Sequence, residues 1–296
     1  MRFRSSWLLA ALLVLPLSAC DETGGAVATD VEVAVDDAVA ARQSGDYDQA
    51  VVILERALEA HPESAPVRVE LATTVMERDG IDLLDLDRIA SFVTEDATSK
   101  ARAASAPAAR TACAYATDPG AVAFDPAAAA GLPDIRAKRG TLKRTLALLD
   151  GLLPDDLKSF DLCTSVVDGE LVYDADAAAS ALRGKGLKDA QIAQLLTVNA
   201  LSRFLDAYLF VTEDVTTQTT WYRLSDGSIG VCADDQDALE AQAREAVDGL
   251  GQAVLSLDLR SRSFVRGATS SEIVTLAVDA FENVRDAVGE YCSASA

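Results

Sequence analysis

Apolar residues recur at helical spacing from residue 31 onward, in two runs separated by Gly45. A spacing of three and four residues places side chains on one face, so each run predicts an amphipathic helix. The first run stops before Gly45, and the second begins at about Tyr47 and ends near Pro62. Two short helices joined by a tight turn form a helical hairpin. The apolar positions are Val31, Ala34, Val35, Ala38, Val39 and Ala41, then Ala50, Val51, Leu54, Ala57 and Leu58.

The hairpin resembles a tetratricopeptide repeat, a unit of 34 residues, over residues 31–64. Small residues in that family let the two helices approach closely, a glycine relieves the turn and a proline stops the second helix. Ala34 departs from the family, which often has a large aromatic residue there. The matching residues are Ala38, Gly45, Tyr47, Ala50, Leu54, Ala57 and Pro62.

The next segment resembles a divergent second repeat or a cap, so the repeat-like region is expected to span residues 30–97. A helix is predicted from about Pro66 to Arg78, and a further apolar stripe runs from Leu83 to Val93. Because a repeat array generally needs three stacked units, this pair must bury its open face against the rest of the chain or a partner.

Residues 98–139 are rich in alanine, proline and glycine and read as a connecting region, followed by a C-terminal helical domain over residues 140–296. Helices are predicted from Leu142 to Leu153, from about Ala175, from Ile192 to Leu209, and at about 235–259 and 269–292. The helix from Ile192 is apolar nearly all round and is expected at the centre of the core. Alternation around Asp226-Gly227 predicts one small β-hairpin near 219–232. The expected fold is therefore all-α, with tetratricopeptide-like hairpins followed by a helical domain that carries this hairpin.

The N-terminus has the order of an exported protein: Arg2 and Arg4, an apolar run from Trp7 to Leu17, and then small residues. The run is too short to span a bilayer and is typical of a signal peptide, here residues 1–19. Leu17-Ser18-Ala19-Cys20 resembles the lipobox of bacterial lipoproteins, which implies lipidation of Cys20 and a tether over residues 20–29. An ordinary cleaved signal peptide with an incidental Cys20 is the alternative. The resemblance implies a lipid anchor in a bacterial cell envelope, with the outer membrane favoured over the inner, and no later segment is expected to span a membrane.

The chain is strongly acidic, with a net charge of −21 over 296 residues. Loss of Arg2 and Arg4 with the signal peptide leaves 24 basic against 47 acidic residues, or −23. Such a surface repels phosphate backbones and anionic headgroups, so we expect no nucleic acid partner and no electrostatic membrane binding.

Four cysteines follow Cys20, namely Cys113, Cys163, Cys232 and Cys292. An even count in an exported protein predicts two disulfides, and antiparallel C-terminal helices favour the sequential pairs Cys113 to Cys163 and Cys232 to Cys292. Buried free thiols are the alternative. The chain has no closely spaced cysteine pair and only His61, so we expect no metal site and no cofactor.

No catalytic constellation emerges from the sequence. Gly227-Ser228-Ile229-Gly230 lacks the spacing of a nucleophile elbow, and Gly184-Lys185-Gly186 is too short for a phosphate loop. The acidic pairs at Asp155, Asp174 and Asp235 precede or begin predicted helices, where carboxylates cap exposed amides. We therefore expect a protein that is not an enzyme.

Tetratricopeptide repeats present a concave helical groove to peptides or helices of other proteins. The resemblance implies a lipid-anchored scaffold or assembly factor with a protein partner. The alternative is an envelope ligand-binding or structural lipoprotein with an apolar pocket in its C-terminal helical domain.

Overall fold

The computed structural model describes residues 29–81, 120–124, 135–233, 235–264, 268–287 and 292. The N-terminal part contains α1 (Asp30–Gln43), α2 (Tyr47–Ala60) and α3 (Ala65–Arg78). The middle contains β1 (Val122–Phe124), a 3₁₀ turn (Arg136–Lys138), α4 (Arg139–Leu149), α5 (Asp155–Lys158), α6 (Leu162–Ser165), β2 (Val166–Val167), β3 (Glu170–Leu171) and α7 (Ala175–Arg183). The C-terminal part contains α8 (Asp189–Leu209), a π-helical segment (Phe210–Asp214), α9 (Val215–Gln218), β4 (Thr219–Arg223), β5 (Ile229–Ala233), α10 (Gln236–Ser263) and α11 (Ala268–Ala287). The predicted all-α class is confirmed, and the sheets are small and antiparallel.

Local capping sets the start of the first two helices. The Thr29 hydroxyl oxygen accepts the Glu32 backbone N–H, and the Glu32 carboxylate accepts the Thr29 backbone N–H. These two hydrogen bonds form a capping box at the start of α1. The Asp46 carboxylate accepts the Gln49 N–H at 3.1 Å and starts α2. Gly45 makes the turn between them with φ of +84°, a left-handed conformation that favours glycine. The predicted helical hairpin is therefore present.

Helix α3 is buried on two faces, and each face belongs to a different apolar cluster. Val67, Leu71 and Val75 pack with α1 and α2. Ala65, Val69, Ala72 and Met76 lie instead in the large core built from α4, α8 and α10. The open face of the hairpins is thus covered by the chain itself, which was one of the two predicted outcomes.

Helix α8 is the centre of the large core, as its sequence predicts, and Ile192, Leu195 and Leu196 are fully buried. It runs antiparallel to α10, because Asn199 Nδ2 donates to Ser256 Oγ at 2.9 Å while Gln218 Nε2 donates to Gln242 Oε1 near the other end. Among the described helices, the stretch Asp189–Asp214 is long and apolar enough to cross a membrane. Since 65% of its apolar window is buried inside the protein, it has the properties of a core helix.

The predicted hairpin is confirmed as β4 and β5, with Gly227 at φ +85° in the turn and Trp221 opposite Val231. The structure contains two β elements in addition to the one predicted β-hairpin. Strand β1 adds to β4 in the order β1-β4-β5, although it lies within the predicted connecting region. A second β-hairpin, β2-β3, turns at Asp168-Gly169. Its strands have two residues each, which is too short to show an alternation of apolar and polar residues in the sequence.

Helix α4 ends four residues earlier than predicted, at Leu149, and Leu152 and Leu153 are buried in the turn that follows. The apolar stripe from Leu83 to Val93 lies outside the described residues.

The predicted sequential disulfide pairing is wrong, because Cys163 bonds to Cys292 with their Cα atoms 5.3 Å apart. Helix α11 packs against α6, which carries Cys163, and against β2. The Arg285 guanidinium on α11 donates to the Val166 carbonyl oxygen of β2, which places this part of the helix beside Cys163. Cys232 is also disulfide-bonded, and Cys113 lies outside the described residues.

Candidate functional site

The buried residues that carry the repeat resemblance lie in the apolar cluster formed by α1, α2 and α3. Ala38, Ala50 and Leu54 are buried there, at 1%, 0% and 0% exposure. Tyr47 and Ala57 are half-buried on α2, and Pro62 lies exposed in the turn after it. Small side chains at the crossing allow close packing, so these residues build the hairpin itself.

An ion-paired triad joins α1 to α3. Arg42 lies 3.3 Å from the Glu70 carboxylate and 3.4 Å from the Glu77 carboxylate. Burial raises the pKa of Glu70, while the Arg42 charge opposes that shift. The triad therefore links α1 to α3 through a buried carboxylate.

Polar contacts also hold α8 on α3. Gln194 Nε2 donates to Thr73 Oγ1 at 2.8 Å, and the Ser202 hydroxyl donates to Met76 Sδ at 3.2 Å. Thr73, Met76 and Ser202 are buried, so these bonds lie inside the interface. This face of α3 is therefore occupied by a helix of the same chain and is closed to a partner.

A basic run at residues 136–144 makes further contacts between the N-terminal helices and the rest of the chain, which the sequence did not predict. The Lys138 ammonium donates to the Gly80 carbonyl at 2.7 Å, and Arg139 pairs with Glu213 and Asp214 at 2.9 and 3.0 Å. Arg144 pairs with Glu55 on α2. Five basic residues within nine positions of an acidic chain were the available clue. They tie α2, the end of α3 and the π-helical segment together.

The outer surfaces of α1 and α2 stay exposed. Val33 and Val52 are 47% and 41% exposed. Residues 29–64 contain nine acidic and two basic side chains, and Asp36 and Asp37 are exposed and make no ion pair within the described residues. This acidic face with exposed valines is the part of the hairpins that a partner can reach, and we call it the α1–α2 face.

Two of the three acidic pairs cap a helix, as predicted, whereas the pair at Asp155 does not, because α5 has Pro154 at its N-cap and no side-chain cap hydrogen bond. The Asp174 carboxylate accepts the Ala177 N–H at 2.8 Å, and the Asp235 carboxylate accepts the Ala238 N–H at 3.0 Å. Asp155 lies in the first turn of α5. Across the described ranges, no cluster of three or more His, Cys, Asp or Glu side chains is arranged to hold a metal ion.

The remaining candidates from the sequence lie in turns and at the end of a helix. Gly184-Lys185-Gly186 forms the turn after α7, His61 is an exposed residue at the end of α2, and the Ser228 hydroxyl bonds to Asp226 in the β4-β5 turn. Cys20 lies outside the described residues.

A cleft of about 730 Å³ lies between the start of α7 and the end of α10. On its wall the Tyr173 hydroxyl donates to the Asp258 carboxylate at 2.9 Å, and Arg262 pairs with the same carboxylate at 2.8 Å. Burial and the Asp258 charge raise the pKa of Tyr173. The cleft is open and carries Asp174 and Asp176 as well, so it differs from the enclosed apolar pocket of the alternative hypothesis.

Comparison with known proteins bears on the hairpins alone. No curated protein matches the chain, and no solved structure matches it. The family model of the tetratricopeptide repeat matches residues 41–81, which run from the end of α1 to the residues just after α3. The region that the sequence resemblance identified is thus a tetratricopeptide-like helical region, of a family whose repeats generally mediate binding between proteins.

Proposed function

We propose that this protein is a lipid-anchored scaffold or assembly factor of a bacterial cell envelope, which binds another protein through the α1–α2 face. One observation carries the proposal: α3 is covered on both sides by its own chain, whereas α1 and α2 keep an exposed surface in a repeat of a protein-binding family. The role is association, with no catalytic step assigned.

The anchor in this proposal is the lipid on Cys20. Helix α1 begins ten residues after Cys20, and an extended chain of that length reaches at most about 35 Å. The α1–α2 face would therefore work close to the membrane. Its carboxylates repel anionic headgroups, which leaves the face available to a protein.

The anchor is tested by labelling cells with palmitate and fractionating the envelope. The wild-type protein is expected to carry label in the membrane fraction, with the outer membrane favoured, and Cys20→Ser is expected to lose both. A soluble, unlabelled wild-type protein would contradict the lipid anchor.

The binding face is tested by affinity purification from detergent-solubilised envelope. Val33→Asp together with Val52→Asp is expected to remove a stoichiometric protein partner, because two exposed apolar contacts become charged. Val172→Asp is the matched control, since Val172 is 55% exposed and lies outside α1 and α2. Equal recovery of the partner from both variants would refute the assignment of this face. A co-purifying lipid or small molecule without a protein would favour the ligand-binding alternative.

A further inference from the structure

Helix α11 carries an apolar row on its outer face. Leu276 and Val284 are 51% and 43% exposed, and Ala280 is exposed between them. Residues four apart lie one above the other on a helix, so the three side chains form a continuous row across two turns. The small Ala280 leaves a depression between the two larger side chains, which is the shape that receives a side chain of a facing helix.

The opposite face of the helix packs against the rest of the chain. On its inner face Phe281 packs on Phe160 with ring centroids 5.1 Å apart, and the Glu282 carboxylate accepts the Gly169 N–H at 2.7 Å. The disulfide of Cys163 with Cys292 links a residue beyond α11 to α6. A face that is already ordered loses little conformational entropy when a partner binds.

Two carboxylates border the row, and the neighbouring cation is engaged elsewhere. Glu272 continues the row by one turn toward the N-terminus, and Asp279 lies next to Ala280. Neither carboxylate makes an ion pair or a side-chain hydrogen bond among the described residues, while the nearby cation, Arg285, pairs with Glu282 at 2.5 Å. An apolar row bordered by unpaired carboxylates is complementary to a helix with an apolar row and basic flanks.

A second copy of this chain fits the face poorly. An antiparallel pairing of two α11 helices about Ala280 would place Asp279 beside its own symmetry mate. Like charges brought together in this way oppose association. The net charge of −21 on each copy adds to the repulsion.

We propose that the outer face of α11, formed by Leu276, Ala280 and Val284 with Glu272 and Asp279, docks a basic amphipathic helix of another protein. The site is separate from the α1–α2 face. It uses the helix-in-groove mode of recognition, with apolar residues over Ala280 and Lys or Arg against the two carboxylates.

The test uses the full-length protein and a fluorescein-labelled helical peptide of about 18 residues, with leucines on one face and lysines elsewhere. A second peptide has glutamate in place of lysine. Fluorescence anisotropy at pH 7 is expected to show one-to-one binding of the lysine peptide and at least tenfold weaker binding of the glutamate peptide.

Leu276→Ser and Asp279→Lys are each expected to raise the Kd of the lysine peptide by roughly tenfold, because one removes apolar contact and the other reverses a facing charge. Val172→Ser is the control and is expected to change the Kd less than twofold. Circular dichroism and the Tm establish that each variant is folded.

Four results would overturn the proposal. The first is equal affinity for the two peptides, and the second is a Kd that Leu276→Ser and Asp279→Lys leave unchanged. The third is a dimer of the wild-type protein in light scattering that Leu276→Ser abolishes, since it would show that a second copy covers the face. Loss of binding in the Val33 and Val52 variants alone would place the peptide on the α1–α2 face and would also overturn it.

Discussion

Truncation of Leu54 tests whether the hairpins and the C-terminal helices unfold as one unit. Leu54 is fully buried in the cluster formed by α1, α2 and α3 and lies outside the large core. Leu54→Ala leaves a cavity in a packed site, and such changes cost about 2–5 kcal/mol. For a protein of this size each kcal/mol lowers the Tm by about 2–4 °C, so a loss of about 3 kcal/mol predicts a Tm lower by about 6–12 °C.

The assay uses a reporter far from the substitution. Trp221 lies on β4 in the C-terminal sheet, and Trp7, the other tryptophan, is replaced by phenylalanine in both proteins. Because α3 contributes side chains to both clusters, we expect Trp221 fluorescence and far-ultraviolet circular dichroism to shift together.

A fluorescence transition that stays at the wild-type temperature while helicity is lost earlier would refute this reasoning. It would show that α1 and α2 unfold independently of the C-terminal core.

Three further predictions concern single sites. Burial raises the pKa of Glu70 above its ordinary 4.5, so folding favours the protonated form. The contribution of Glu70 to the free energy of unfolding therefore falls as pH rises from 4.5. In denaturant titrations, Glu70→Gln should gain stability relative to wild type between about pH 4 and pH 7. Cys163→Ser opens a loop of 129 residues and should cost about 4–5 kcal/mol in the chain-entropy model, measured by the same titrations, whereas an unchanged midpoint would contradict it. In α10, a Cβ on Gly251 would clash with the Phe160 ring, so Gly251→Ala should destabilise by about 1–3 kcal/mol. A Cβ on Gly249 meets no atom closer than 3.8 Å, so Gly249→Ala should stabilise the protein by up to about 1 kcal/mol. Denaturant titrations measure both variants, and a less stable Gly249→Ala than Gly251→Ala would contradict the packing of α10 on Phe160.

Much of the fold follows from periodicity. The hairpin of α1 and α2 was predictable because Ala38, Ala50 and Leu54 keep helical spacing on both sides of Gly45. The central position of α8 follows from its apolar residues on every side, which only a core accommodates.

Other features depend on contacts between distant segments, which spacing does not encode. Helix α3 is apolar on two faces, and the sequence does not say that α4 and α8 cover one of them. The pairing of Cys163 with Cys292 depends on the packing of α11 against α6 and β2, which includes the contact of Arg285 with Val166.

The sequence predicted the proposed binding face only in part. The repeat resemblance identified the helical hairpins, but its signature residues Ala38, Ala50 and Leu54 are buried inside the fold. The exposed Val33 and Val52 emerge only once the packing of α1 and α2 is known.

Site-specific photocrosslinking in intact cells tests whether the α1–α2 face contacts another protein. A photoreactive amino acid is placed at Val33 or Val52 on the α1–α2 face, or at Val172 as the control, because all three side chains are exposed by 41% or more. The account predicts a crosslink to one defined protein from both hairpin positions, with little or none from position 172. The absence of a protein adduct at both hairpin positions, or the same adducts at all three, would contradict it.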